Sequence, residues 1–255
     1  MAIEGSFLLF MLVFMRMSGF ILLNPIYGRR NIPIIAKIMI IFSLSIIITI
    51  YYGNEVVITN DLLEITGLLL KEFTIGYIIG FIITLFVYVI IFGGELIDMQ
   101  MGLSMSKIYD PQNNTSLSVN ASFYNAMFII LFFVTDGHLT LINLFLNSHR
   151  VLPFGNFIIS KDFVKNMIDI FTLCTILAIK LSFPLLAIEF LSEIGVGIII
   201  KSIPQVNVFV INLQMRVFIG LIMLLIMFQP SAHYIVKLIE TMLQQMGQML
   251  RLIGG

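Results

Sequence analysis

The sequence predicts an all-α membrane protein, and three observations carry that expectation. Of its 255 residues, 59% are hydrophobic and only 11% are charged, which leaves more apolar surface than a soluble domain can hide. The apolar residues fall in runs near the roughly 20 residues that span a bilayer core. Little lies between the runs, and no stretch has the mixed composition of a soluble domain.

Taken in order, the runs predict helices at about 6–23, 35–53, 56–70, 73–94, 119–134, 138–149, 163–200 and 206–252. The first, in "MAIEGSFLLFMLVFMRMSGF", has Glu4 where a secretory leader carries basic residues, so it reads as a retained helix. Breaks are expected at Pro25, Pro33, Gly53, Gly93-Gly94, Pro111, Gly137, Pro153-Phe154-Gly155, Pro184, Pro204 and Pro230. The last two runs are long enough to break or fold back.

The segment "YGRRNIPIIAK" carries Arg29, Arg30 and Lys37 and no acid, which puts 26–37 in the cytoplasm and the N-terminus outside. Further along the charge rule fails, since 94–118 sets three acids against Lys107 and 150–169 mixes both signs. The runs 56–70 and 138–149 are also short for a span. Helical hairpins buried against partner subunits suit such a chain better than a serpentine of independent spans.

Several function classes have no support. With 14 basic and 14 acidic side chains the net charge is zero, and nothing suggests nucleic-acid binding. Cys174 is the lone cysteine, and no Cys/His cluster has metal-ligand spacing, so no metal or cofactor is expected. Ser148, His149 and Asp136 could be assembled into a triad, but no nucleophile-elbow context surrounds the serine, and no catalytic residue is expected. Related halves with matched broken helices, the mark of a secondary transporter, are not apparent.

Arg16, Lys180, Glu189, Glu193, Lys201 and Arg216 lie within or at the edges of apolar runs, where a charge costs roughly 2.5–3.5 kcal/mol at mid-bilayer. Two readings are open: ion pairs and subunit contacts between helices or snorkelling to the interface, as against a polar lumen or proton path. Glu189 and Glu193 share one helix face at i, i+4, so a cation or water should lie alongside, with Lys180 and Lys201 the cations nearest in sequence. Gly76 and Gly80 form a small-xxx-small face for close helix contact, and "GVG" at 195–197 could do likewise. Met99, Met101 and Met105, and again Met242, Met246 and Met249, either line a deformable surface or fill gaps in a core.

Three blocks of the sequence carry motifs at telling spacing. The first is "MRMSGFILLNPIYGRRNIPIIAK", with Arg16, Pro25, Pro33 and Lys37. The second runs from "GELIDMQMGLSMSKIYDPQNNTSLSV" to "FYNAMFIILFFVTDGHLTLINLFLNSHRVLPFG". It carries Gly94, Glu95, Gln100, Gly102, Asp110, Pro111, Gly137, His138, Ser148, Pro153 and Gly155. The third is "FPLLAIEFLSEIGVGIIIKSIPQVNVFVINLQMRVFIGL", with Pro184, Gly197, Pro204, Gln205, Asn207, Val208 and Gly220. In order and spacing these blocks resemble the FliR family of flagellar type III export-gate proteins and its injectisome T-type relatives. Gln214 stands where that family has proline, and Glu189 adds an acid to a run usually apolar there.

The resemblance implies kinked helical hairpins that look like a fusion of a FliP-like part, about 1–160, with a FliQ-like hairpin, about 161–255. It implies a bacterial inner-membrane subunit at the flagellar basal body that completes a hetero-oligomeric ring with FliP-like and FliQ-like subunits. An FlhB-like switch subunit would dock on the cytoplasmic side, and unfolded flagellar substrates would pass through the channel. Residues from about Gly102 to Ser118 then resemble a plug that closes the resting pore, with Met101, Gly102, Leu103, Ser104, Met105, Lys107, Tyr109, Asp110 and Pro111 as its candidate residues. In that setting Gly102 would permit a sharp turn and Asp110-Pro111 would stop helix before the polar tract. The rival expectations are an injectisome homologue and, from another class, a transporter using Glu189, Glu193 and Asp98.

Overall fold

The computed structural model describes residues 2–29, 32–52, 61–105, 108–110, 115–155, 162–202 and 208–254. Helix dominates these residues: α1 (Ala2–Leu23), α2 (Ile34–Tyr52), α3 (Leu62–Met101), α4 (Val119–Val134), α5 (Gly137–Val151), α6 (Asp162–Ser202) and α7 (Val208–Gly254). Between α3 and α4 stand a short 3-10 turn, Leu103–Met105, and two three-residue strands, β1 (Ile108–Asp110) and β2 (Thr115–Leu117). Among the described residues five helices are long and apolar enough to cross a membrane, and α4 with α5 would make a sixth crossing if the broken pair acts as one. The protein is an all-α membrane protein.

Four sequence expectations are corrected. The runs 56–70 and 73–94 are not separate helices. From Leu62 they form one helix of 40 residues, because the Lys71-Glu72 pair between them costs no backbone hydrogen bond. Gly93-Gly94 does not end that helix either, and it continues to Met101. At these glycines the missing side chain serves packing: a Cβ at Gly94 would lie 2.5 Å from the backbone of Ala121 on α4. Pro184 and Pro230 sit inside α6 and α7, of 41 and 47 residues, without ending either. Apolar helices tolerate such prolines where neighbouring groups satisfy the freed carbonyls. The break expected at Gly137 falls one residue earlier, where Asp136 takes φ 55, the left-handed conformation that aspartate tolerates better than most residues. The proposed starts and ends near 53–60 and 203–207 lie outside the described residues.

The chain divides into two compact units. One comprises 1–85, 136–171 and 240–255, the other 86–135 and 172–239. In the first, Leu9, Leu12, Val13, Arg16, Met17 and Phe20 are all essentially buried, an i, i+3, i+4, i+7 stripe that turns one face of α1 inward. That stripe meets α3 at backbone distance. A Cβ at Gly76 would overlap the Arg16 carbonyl oxygen, one at Gly19 would overlap that of Phe73, and one at Gly80 would lie 2.8 Å from that of Phe20. The small-xxx-small face read from sequence is thus a helix contact, whereas a Cβ at Gly195 or Gly197 would have nothing within 4 Å among the described residues. Met242, Met246 and Met249 are buried core of the first unit, the gap-filling role. In the second unit Phe86, Ile90, Ile97, Phe128, Phe132, Ala178 and Ile235 form the core.

Candidate functional site

The second unit contains the segment 102–118. Helix α3 ends at Met101, and Gly102 follows at φ 77, the left-handed position at which helices commonly stop on glycine. Helix therefore stops at Gly102, well before Asp110-Pro111, the expected terminator. Instead of an irregular loop, the chain forms a small antiparallel ribbon pairing Ile108 with Leu117, Tyr109 with Ser116 and Asp110 with Thr115. Pairing satisfies backbone groups that a meandering loop would leave to solvent.

The two ends of the segment are tied together at its base. Asp98, fully buried in the last turns of α3, accepts the backbone N–H of Asn120 at 2.8 Å on one oxygen and Asn120 Nδ2 at 2.8 Å on the other. The same Asn120 amide lies 3.4 Å from the Met101 sulfur. Ser118, at the cap position of α4, makes no side-chain capping bond. Asp98 satisfies an orphan N–H of the first turn in its place and sets a negative charge at the positive end of the helix.

Of the candidate pore residues, Met101 is buried, and Gly102, Leu103 and Ser104 are half-buried. Met105, Tyr109 and Asp110 are placed by their backbone, with side chains outside the described residues; Lys107 and Pro111 lie wholly outside.

Next to this base lies a polar cluster between α6 and α7. Arg216 of α7 pairs with Glu193 of α6. Among the described residues the cation beside the Glu189–Glu193 face is Arg216 and not Lys180. Local sequence could not show this, because the partner lies on the next helix, 23 positions away. Lys180 is exposed and borders a cavity of about 130 Å³ with Tyr124, Pro184, Pro230 and Tyr234. Lys201's side chain is outside the described residues. Glu189 is fully buried, and neither carboxyl oxygen has a hydrogen-bond partner among the described residues. Its Oε1 shares with Met101 a notch on α7 at Gly220, where an added Cβ would lie 2.8 Å from that oxygen and 2.7 Å from Met101 Cγ.

Arg16 belongs to a separate cluster in the first unit. Its Nε donates to Glu72 Oε2 at 2.5 Å, one terminal nitrogen donates to Ser148 Oγ at 3.3 Å, and both reach the Leu152 carbonyl at 3.2–3.3 Å. The guanidinium carbon lies 4.2 Å over the Phe154 ring. Glu72 completes the set by accepting the Gly155 N–H on its second oxygen at 2.9 Å. Of the two readings open for Arg16 this is the ion pair between helices, and Ser148 serves it rather than any nucleophilic arrangement. Glu72 was not singled out in the sequence. The signal was present: Glu72, Ile75, Ile79 and Ile82 share one face of α3, so the acid had to point at whatever covers those isoleucines.

Among the described residues no group of three or more His, Cys, Asp or Glu could hold a metal ion. What the site offers is mechanical: a polar segment with its ends fastened, set in apolar helices. The model of the family described as bacterial export proteins, family 1, matches residues 7–242. The chain belongs to this family. It is 28% identical over 251 residues to the flagellar biosynthetic protein FliR of Bacillus subtilis, covering 96% of this chain and 95% of that one. It is 27% identical to the FliR of Aquifex aeolicus, covering 88% and 86% of the two chains. A Yersinia pestis protein named Yop proteins translocation protein T is 24% identical, over 88% of this chain and 87% of its own. The FliR resemblance drawn from the three sequence blocks is thereby established. These relatives are named for biosynthesis or translocation, and none for a catalysed reaction.

Proposed function

We propose that this chain is a structural channel subunit of a flagellar type III protein export gate, in the inner membrane at the flagellar basal body. Its first 160 or so residues play the FliP-like part and the remainder the FliQ-like hairpin. It completes a hetero-oligomeric ring with FliP-like and FliQ-like subunits, contacts an FlhB-like switch subunit, and passes unfolded flagellar proteins. The segment 102–118 closes the resting pore. The observation that carries the reading is the family match across 7–242, joined to full-length likeness to chains named as flagellar biosynthetic proteins. The fastened base of 102–118 supports the plug, since a closure must stay in register while its tip moves. Exposed apolar side chains on the outer faces of α6 and α7, among them Phe183, Phe190, Phe218 and Leu225, suit packing against other helical subunits or lipid.

The injectisome reading is not favoured, because the flagellar relatives of Bacillus subtilis and Aquifex aeolicus match over at least as much of the chain and at higher identity than the Yersinia pestis protein. The transporter reading needs Asp98, Glu189 and Glu193 available to protons. Asp98 is taken up by Asn120 and Glu193 by Arg216, which leaves Glu189 alone. The test is co-expression with candidate FliP-like and FliQ-like chains, purification through a tag on this chain, and native mass spectrometry of the product. A hetero-oligomer with one copy of this chain is expected, and a stable homo-oligomer lacking the others overturns the reading. In the assembled gate, deletion within 104–117 is expected to leak small ions with assembly intact; an unchanged ion barrier removes the plug.

A further inference from the structure

A groove in the first unit has no part in the export reading above. Its floor is made by buried Phe20 and Ile21 of α1 and buried Leu141 and Phe145 of α5, and its outer wall by Met39, Ile40, Ser43 and Leu44 of α2. The cavity measures about 290 Å³ and is almost wholly apolar. Phe20 and Phe145 pack ring against ring in this floor, tilted by 52° with centroids 4.0 Å apart. The wall is different: α2 is a candidate membrane span with only 17% of its residues buried, and Met39 and Ser43 are exposed. The groove therefore opens along a candidate membrane span whose other faces are largely exposed and apolar.

One end of the groove is polar and basic. Tyr27, which lines the cavity, sits in the turn after α1, and the Asn24 side chain holds that turn by accepting the N–H groups of Ile26 and Tyr27 at 2.8 and 3.1 Å. Two cations are drawn onto the same turn. Lys37 Nζ donates to the Gly28 carbonyl at 2.8 Å, and Arg29 Nε to the Pro25 carbonyl at 2.9 Å. No acid occurs between 26 and 37. The Asn24 amide nitrogen is buried and has no acceptor among the described residues. Burial raises the pKa of the Tyr27 phenol, so it remains a neutral hydroxyl able to donate. The turn thus gathers donors and positive charge at the mouth of an apolar slot. It lies between the ends of two candidate spans, the level at which lipid headgroups sit.

We propose that this groove is a binding site for one anionic phospholipid, with an acyl chain between α2 and the α1–α5 floor and the phosphate beside Lys37 and Arg29. An ammonium has three donors, so Lys37 can hold the Gly28 carbonyl and a phosphate oxygen together. Charge complementarity selects an anionic headgroup over a zwitterionic one, as basic segments beside membrane helices do. The apolar slot selects a lipid over free phosphate.

The test uses the full-length chain reconstituted in bilayers of mixed phosphatidylglycerol and phosphatidylcholine, extracted in mild detergent and weighed by native mass spectrometry. One phosphatidylglycerol is expected to be retained in preference to phosphatidylcholine. Ile142→Trp, which fills the slot from α5, is expected to abolish retention at unchanged helicity. Ser43→Trp, on the exposed wall, serves as a second filling variant should the first fail to fold. Lys37→Gln is expected to keep a bound lipid but remove the headgroup preference. Equal retention of the two lipids by the unaltered chain, or phosphatidylglycerol bound as well by a folded filling variant, overturns the proposal. Loss of hetero-oligomer with lipid retention unchanged in a filling variant also overturns it and gives the groove to a protein partner.

Discussion

Asp98 and Asn120 face each other across the base of the segment 102–118, and both Asp98 oxygens are used: one accepts the Asn120 backbone N–H and the other its side-chain amide, each at 2.8 Å. Asp98→Ala removes both acceptors and leaves a buried N–H and a buried amide unpaired. The expected destabilisation is about 1–3 kcal/mol, read as a lower unfolding midpoint of the purified chain in detergent. Asp98→Asn retains an acceptor for the backbone N–H but turns an amide donor toward Asn120 Nδ2, so a smaller loss is expected. Equal midpoints for the alanine variant and the unaltered chain would show that the pair does not hold the base.

A second prediction concerns Arg16 and Glu72, buried together and 2.5 Å apart. Removing either partner alone strands a charge in an apolar interior, which costs about 3–5 kcal/mol where such pairs have been broken. Arg16→Met with Glu72→Leu removes both charges while filling similar volume, and is expected to be far less damaging than either single change. The measurement is the double-mutant cycle on unfolding midpoints. Additive losses would mean that the two side chains act independently despite their geometry.

How far these features could be read in advance follows from their range along the chain. The apolar runs gave the helices, because span length and composition are local. Arg16 and Asp98 stand out as charged residues in or beside apolar runs. Their partners do not: Glu72 lies 56 positions from Arg16 and Asn120 lies 22 from Asp98, and no local pattern links them. Glycine and proline misled in one consistent way. As breakers they predicted ends at Gly93-Gly94, Pro184 and Pro230, but within packed apolar helices the local cost of such residues is outweighed by tertiary contacts. At Gly94 the contact is the approach of Ala121 itself. The ribbon in 102–118 was hidden for a related reason, since three-residue strands have no period to detect.

A third prediction separates glycines by what surrounds them. Gly76→Ala would press its methyl into the Arg16 carbonyl and within 2.8 Å of the Phe20 nitrogen, all backbone. Nothing there can swing aside, so α1 and α3 must part, at a cost at or above the roughly 1–3 kcal/mol of ordinary overpacking. Gly195→Ala meets nothing within 4 Å and replaces the poorest non-proline helix former with the best, so up to about 1 kcal/mol of stabilisation is expected. Thermal unfolding of the two purified variants checks both signs. If Gly195→Ala leaves the isolated chain stable but reduces recovery of the hetero-oligomer, that face of α6 is a subunit contact.

Gly220 tests the link between the segment's base and α7. Unlike Gly76, whose three nearest neighbours are backbone, it has side-chain atoms as its three nearest, Met101 Cε and Cγ and Glu189 Oε1. A methyl there must displace Met101, Glu189 or both, and flexible side chains can yield where backbone cannot. Gly220→Ala should therefore fold, gain some intrinsic helix propensity, and lose more than it gains by driving Met101 from its place beside Asn120. Met101→Ala vacates the notch and by itself leaves a cavity, at a cost of about 2–5 kcal/mol for such a truncation. With Met101 already shortened, the Gly220 methyl meets only Glu189 Oε1 of its three nearest neighbours. The double variant is then expected to be more stable than the sum of the single losses predicts, a coupling measurable from four unfolding midpoints. The same variants carry a functional reading in the assembled gate. If the notch keeps the base of 102–118 in register, Gly220→Ala leaks ions while the hetero-oligomer still forms. Strict additivity of the two changes, together with an intact ion barrier, would disconnect Gly220 from the segment.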